Sequence, residues 1–258
     1  MGKRAIRFYD SNCNQAIGDL NNYIKSSEVD FLYSALLKLE KISLLDWIIR
    51  KETSAVKGIS ILDDWGKLHK AAKKLGLLYH MQKLIPADSE IELPQMNDQF
   101  FSRYNKNFRQ KYDHLLLNDI RNKKQLEFLL EALESKLVSK RLFKQLKIAE
   151  IKLSENYPSD SWIDAAQKIK RVSNLSGLLS PYYLDNLNEN CNRIELDLLS
   201  EVIEKWQHVG LMHQWIRGFK SPNKFGLLNL QVQLEKDSFN YEMEIRSMRN
   251  HIFKKIIS

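Results

Sequence analysis

The sequence predicts a mainly α-helical protein: a multi-helix bundle with a small β-hairpin near its C-terminus. Two observations predict the helices. Between Ser11 and Arg217 the apolar residues recur at intervals of three and four, and only nine Gly and five Pro interrupt the 258 residues. An alternating apolar pattern within residues 229–246 predicts the hairpin. A chain of this length can bury a sizeable core, as one large domain or two smaller ones.

The N-terminal elements are predicted to be one short strand followed by helices. The segment "AIRFY", residues 5–9, alternates like a strand and is expected to join the hairpin. The segment "FLYSALLKLEKISLLDWIIR" is predicted to be the first of these helices. Its amphipathic stripe consists of Leu32, Ala35, Leu36, Leu39, Leu45 and Ile49. The following helix is predicted to begin at Ser60 and to end at Gly76, with Asp63 and Asp64 in its first turn, where carboxylates complement the helix dipole.

Further helices are predicted after a long connection between Pro86 and Pro94. Their patterns cover about residues 97–121, 123–138 and 139–155. Another helix, capped by Ser159 or Asp160, is expected to run through Val172, and the helical spacing resumes after Pro181.

These breaks predict three parts of the chain. They are an N-terminal helical region (1–90), a central helical region (91–173) and a C-terminal region with the hairpin (174–258). One continuous domain is the alternative.

The hairpin prediction depends on the stretch "NLQVQLEKDSFNYEMEIR", residues 229–246. On a helix its apolar residues would form two stripes on nearly opposite sides, whereas on two strands each run has a single apolar face. "EKDS" is a polar turn of suitable length, so two paired strands are predicted. The apolar residues concerned are Leu230, Val232, Leu234, Phe239, Tyr241, Met243 and Ile245.

The stretch before the hairpin resembles winged-helix domains. In "EKWQHVGLMHQWI" a helix is predicted to end at Gly210 and to leave through Leu211 towards the β-ribbon, which is the order of elements in that family. "AAKKLGLLYHM" around Gly76 repeats the Gly-Leu pattern. The resemblance covers about the last quarter of the chain and implies a DNA-binding regulator as one alternative function.

The segment "RSMRNH" resembles the catalytic signature of the HEPN ribonucleases, which are helical dimers. The resemblance implies that Arg246 would stabilise charge on the phosphorane and that His251 would act as acid or base. The sequence departs from the family at Ser247, where a residue such as Asn is usual, and "RQKYDH" has the same spacing at Arg109 and His114. Catalysis by Arg246 and His251 is therefore an alternative, and the main prediction is a protein that is not an enzyme.

Two basic segments are candidate nucleic-acid contacts. Arg103, Lys106 and Arg109 alternate with aromatic residues, which suits single-stranded nucleic acid, although the aromatic residues also form one stripe typical of core packing. The second segment places four lysines on one helix face, as a ridge roughly 16 Å long that could follow phosphates or simply be solvated. These lysines are Lys136, Lys140, Lys144 and Lys147.

Other patterns set limits on the chemistry. Cys13 and Cys191 have no Cys-x-x-Cys spacing, and His208 and His213 would point in different directions on a helix, so no metal and no cofactor are predicted. The sequence has neither a signal peptide nor an apolar run of the roughly 20 residues that span a bilayer, so a cytoplasmic protein with no membrane contact is expected. The net charge of +8 permits contact with anions such as nucleic acid.

The function predicted from these patterns is that of a non-catalytic accessory or adaptor subunit. It would act by protein–protein docking, within a DNA-associated assembly of the SMC or defence type or as a toxin-neutralising protein. The alternatives are the winged-helix regulator and the HEPN-like ribonuclease.

Overall fold

A computed structural model describes residues 1–52, 60–84, 98–154, 161–190, 192–217 and 224–257. All regular structure in these ranges is α-helical, as the main prediction required, and no strand occurs in them. The helices are α1 (Gly2–Ser26), α2 (Val29–Glu52), α3 (Ser60–Leu84), α4 (Asp98–Glu131), α5 (Ser135–Lys152), α6 (Ser161–Ser176), α7 (Pro181–Asn190), α8 (Arg193–Arg217) and α9 (Lys224–Ile257).

The helices form two compact units. Unit 1 contains the described residues of Met1–Pro86 and Leu93–Val138, and unit 2 contains those of Ser139–Ser258. The three-part division into 1–90, 91–173 and 174–258 stays a prediction.

Unit 1 is built on packing of α1 against α2 and α4, with α3 between α2 and α4. Polar atoms inside it find partners: the Trp65 indole donates to the Tyr9 hydroxyl at 3.0 Å, and the Tyr23 hydroxyl donates to Asn105 Oδ1 at 3.0 Å. Helix α1 ends at Ser27, whose positive φ of 61° stops the helix while its amide donates to the Tyr23 carbonyl at 2.8 Å.

The predicted N-terminal strand is wrong, because "AIRFY" lies inside α1. The buried side chains of α1 recur every three or four residues, which is a helical period, and five residues are too few to distinguish this period from alternation. They are Ala5, Tyr9, Asn12, Cys13, Ala16, Leu20 and Tyr23.

In unit 2, α8 packs against both α6 and α9. Trp162 of α6 and Trp206 of α8 meet with ring centroids 5.3 Å apart. Helix α5 joins α6 through Lys152 Nζ and Asp164 Oδ2, 2.8 Å apart, and through Arg171, which donates to Gln145 Oε1 at 2.9 Å.

The predicted hairpin is also wrong, because residues 229–246 lie inside the single helix α9. The prediction assumed that both apolar stripes had to be buried. In the structure only one is: Leu234 and Ile245 are 4% and 1% exposed, while Val232, Phe239 and Met243 are all more than half exposed.

The two predicted Gly-Leu exits are wrong as well. Gly210 lies inside α8, and Gly76 lies inside α3. At Gly76 a Cβ would come within 2.8 Å of Leu36 Cδ1, so a larger residue there would displace the Leu36 side chain. The order of elements that resembled a winged helix is therefore not present in the described part of the chain.

Candidate docking surface

Helix α9 presents a second apolar side, which we call the outer face of α9. At 100° per residue its members fall within a sector of roughly 60°. Their exposure lies between 54% and 63%, although side chains of this kind are usually buried. The outer face consists of Leu228, Val232, Phe239 and Met243.

The opposite side of α9 packs against the rest of unit 2. Leu234, Ile245 and Ile252 are buried, and α9 packs against α8. The directions of Leu234 and Ile245 are roughly 140° from the middle of the outer face. One helix therefore has a packed side and an open apolar side.

Two polar contacts join the edges of α9 to α8. His213 Nε2 lies 3.2 Å from Glu235 Oε1, and His251 Nε2 lies 3.4 Å from Glu195 Oε1, so α8 is contacted at two levels. The two contacts lie on different sides of α9 and flank its packed side.

An open apolar strip of this kind can bind another apolar surface. Single exposed apolar residues are common, whereas several aligned on one helix are a candidate for an interaction site. A strip with spacings of four, seven and four residues suits a partner helix or an apolar groove.

The structure places Arg246 and His251 on α9 but in different surroundings. Five residues separate them, so their directions differ by roughly 140°. The Arg246 guanidinium lies 2.8 Å from Glu242 and 5.5 Å over the Trp162 ring, whereas His251 contacts Glu195. The helix does not bring them together within one chain, and their catalytic role stays a prediction.

The lysine ridge lies on α5 as the spacing predicted. Its four members are exposed and fall within roughly 80° of one another, while the opposite side of α5 is buried. Their binding to nucleic acid stays a prediction. The ridge is Lys136, Lys140, Lys144 and Lys147, and the buried side is Val138, Leu142, Leu146 and Ala149.

The basic and aromatic segment on α4 divides into two sets. Arg103, Lys106 and Arg109 are exposed, and Arg109 donates to the Ile24 carbonyl at 3.5 Å. Phe108 and Tyr112 are buried in the core of unit 1. These two rings are therefore inaccessible to base stacking, although phosphate contact by the three cations stays a prediction.

Sequence reasoning missed a cleft between α3 and α4. It has a volume of about 180 Å³ and is lined by Asp64, Lys67, Gln110, Lys111 and His114. Asp64 is only 5% exposed, and its carboxylate lies 3.0 Å from Lys67 Nζ and 3.5 Å from His114 Nδ1. The sequence analysis explained Asp64 as a carboxylate in the first turn of a helix. Because fifty residues of chain separate Asp64 from His114, no local pattern could reveal the pair.

The described residues contain neither a metal site nor a membrane span. No group of three or more His, Cys, Asp and Glu side chains among them could hold a metal ion. No described helix combines the length and apolar character needed to cross a membrane.

Comparisons with protein-family models, with curated proteins and with solved structures found no match to this chain.

Proposed function

We propose that this protein acts by docking to a protein partner through the outer face of α9, and that it does not act as an enzyme. The observation that supports the proposal is the exposure, by more than half, of four large apolar side chains on one strip of a helix whose other side is packed.

The free energy of burial gives the strip its driving force. Full burial of one such side chain contributes about 1.5–3 kcal/mol, so completing the burial of four half-exposed ones contributes several kcal/mol. Loss of translational and rotational freedom offsets part of this gain. The strip can therefore anchor an interface, which hot-spot residues at its centre, such as Phe239, would dominate.

The alternatives have weaker support. The winged-helix regulator depended on a β-ribbon over residues 229–246, and these residues are helical. The ribonuclease has no supporting observation beyond the motif, because Arg246 and His251 contact carboxylates of their own chain, Glu242 and Glu195.

The proposal is tested with one substitution and a matched control. Phe239→Glu places a charge on the outer face, and Phe128→Glu places one at a similarly exposed position of α4 in unit 1, where Phe128 is 69% exposed. Tagged full-length chains are chemically crosslinked in the native source, in which an untagged copy is also expressed, and are then purified so that every retained protein is quantified.

We expect the wild-type chain and Phe128→Glu to retain a protein in stoichiometric amount and Phe239→Glu to lose it, with unchanged circular dichroism. Retention of that protein by Phe239→Glu, or no stoichiometric protein with the wild-type chain, would contradict the proposal.

A second candidate function is contact with nucleic acid through the lysine ridge of α5, because all four of its lysines are exposed on one side. Such a ridge would hold phosphates without reading bases. A DNA-associated assembly is the setting in which the ridge and the outer face of α9 would both be used, and salt-dependent binding is its test.

A further inference from the structure

We infer that the outer face of α9 binds a second copy of this chain, with the two α9 helices parallel and in register. The inference rests on the proposed docking through this face and adds the identity of the partner. It is carried by the charges at the middle of the strip.

Two oppositely charged residues lie between Val232 and Phe239. Viewed down the helix axis, Glu235 is roughly 50° to one side of the middle of the strip, and Lys236 is roughly 50° to the other side. Both are exposed, with 60% of the Glu235 side chain accessible. The outer face therefore has an acidic edge and a basic edge at the same level.

A two-fold axis parallel to the helices makes these edges complementary. It places Glu235 of each copy opposite Lys236 of the other, once on each side of the contact, while Val232 meets Val232 and Phe239 meets Phe239. An antiparallel pair would instead place Glu235 against Glu235 and Lys236 against Lys236. Because like charges that face each other repel, the parallel arrangement is favoured.

Existing contacts are compatible with this pairing. Glu235 contacts His213 of its own chain through Oε1 at 3.2 Å, and its side chain is 60% exposed, so Lys236 of the other copy can approach it from the solvent. Beyond Met243 the next member of the strip is Arg246, whose guanidinium is directed to Glu242 and to the Trp162 ring. The apolar contact therefore ends at Met243.

The length of the strip sets the expected affinity of the dimer. From Leu228 to Met243 the helix rises roughly 22 Å, which gives an interface smaller than that of a stable dimer. We expect a weak dimer that forms at micromolar or higher concentration.

The test measures self-association of the full chain by sedimentation equilibrium over a wide concentration range. Glu235→Lys places Lys against Lys on both edges, and Lys236→Glu places Glu against Glu. We expect each single variant to weaken the dimer by about tenfold, because two exposed ion pairs become two repulsions. The double variant Glu235→Lys/Lys236→Glu exchanges the charges and restores the dimer.

A mixture of the two single variants gives an independent measurement. One variant has two positive charges at the middle of the strip and the other has two negative charges, so we expect the mixed dimer to be more abundant than either homodimer.

The double variant also serves as a control for contacts within one chain. It still lacks the interaction of Glu235 with His213, so recovery of its dimer cannot come from that interaction.

A wild-type chain that is monomeric at every concentration would overturn the inference, as would a double variant that fails to recover. The proposed docking function has a separate outcome. If the wild-type chain is monomeric but Phe239→Glu loses a different stoichiometric protein, docking stands and the second copy does not. If Phe239→Glu changes neither self-association nor protein retention, both fail.

Discussion

Phe239 and Ile245 lie on the same helix, less than two turns apart, yet Phe239 is 63% exposed and Ile245 is 1% exposed. The chain thus places large apolar side chains on both sides of α9 and buries only one side. The contrast predicts different consequences for substitutions that look similar in the sequence.

Ile245→Ala is expected to lower the free energy of unfolding by about 2–5 kcal/mol, because it leaves a cavity in the packed side of α9. Phe239→Ala is expected to change it by less than about 0.5 kcal/mol, because the ring is mostly in solvent. Urea denaturation below the concentration of self-association measures both. Equal losses for the two variants would show that the outer face is part of the folded core.

Gly210→Ala is expected to raise the free energy of unfolding by about 0.5–1 kcal/mol, because Ala is the better helix former and a Cβ at this position meets no atom within 4 Å. Gly76→Ala is the control: there the Cβ would lie 2.8 Å from Leu36 Cδ1, so the gain is offset by displacement of that side chain. Thermal denaturation compares the two. A loss of stability in Gly210→Ala would indicate that the helix does end at Gly210.

The sequence predicted the helical class but not all of the helix bounds. Three helices were expected over about 97–121, 123–138 and 139–155, whereas the structure has two, α4 (Asp98–Glu131) and α5 (Ser135–Lys152). The aromatic stripe of α4 was expected to pack in the core; Phe108 and Tyr112 are buried, whereas Phe101 and Tyr104 are only half-buried. The hairpin and the strand "AIRFY" were wrong because a short alternating pattern also fits part of a helix, and packing against neighbouring helices decides between the two. That decision involves residues distant in sequence, which a local pattern does not contain.

Candidate surfaces were predictable to a different extent. The lysine ridge follows from spacing alone, so its exposure on α5 could be predicted. The outer face of α9 was visible in the sequence as a second apolar stripe but was interpreted as part of a strand. The pairing of Asp64 with His114 brings together two helices and had no signal in the sequence.

Substituting Lys140 and Lys144 with Gln is expected to weaken DNA binding and to reduce the dependence of log K on log salt by about 0.9 for each phosphate that the ridge no longer neutralises. Lys70→Gln/Lys74→Gln, at the same spacing on α3 and also exposed, is the matched control. Fluorescence anisotropy at several salt concentrations measures the slope. Equal slopes for the two double variants would assign the binding to overall charge and not to the ridge.

The contact between α5 and α6 is expected to weaken at acid pH. Burial by itself would raise the pKa of Asp164, but hydrogen bonds from Lys152 and Lys168 outweigh it and hold the pKa below its usual value of 3.8. The carboxylate therefore contributes its full stabilisation above pH 3.8, and this stabilisation is lost as the pH falls from there through the lower pKa of the folded protein. Denaturation of the wild-type chain and Asp164→Asn should differ most near neutral pH and converge below pH 3.8. A difference that grows on acidification would show that the two lysines do not stabilise the charged form.

The most direct measurement of the central claim is whether the outer face of α9 is covered where the protein works. Met243→Cys places a thiol on the outer face, at a position that is 54% exposed. The control is Leu117→Cys in unit 1, at a position that is 76% exposed. Both chains also carry Cys191→Ser. Alkylation rates are compared between intact cells and dilute purified protein. We expect Met243→Cys to react much more slowly in cells than in dilute solution, while Leu117→Cys reacts alike in both. Equal rates at position 243 in both settings would contradict docking through this face.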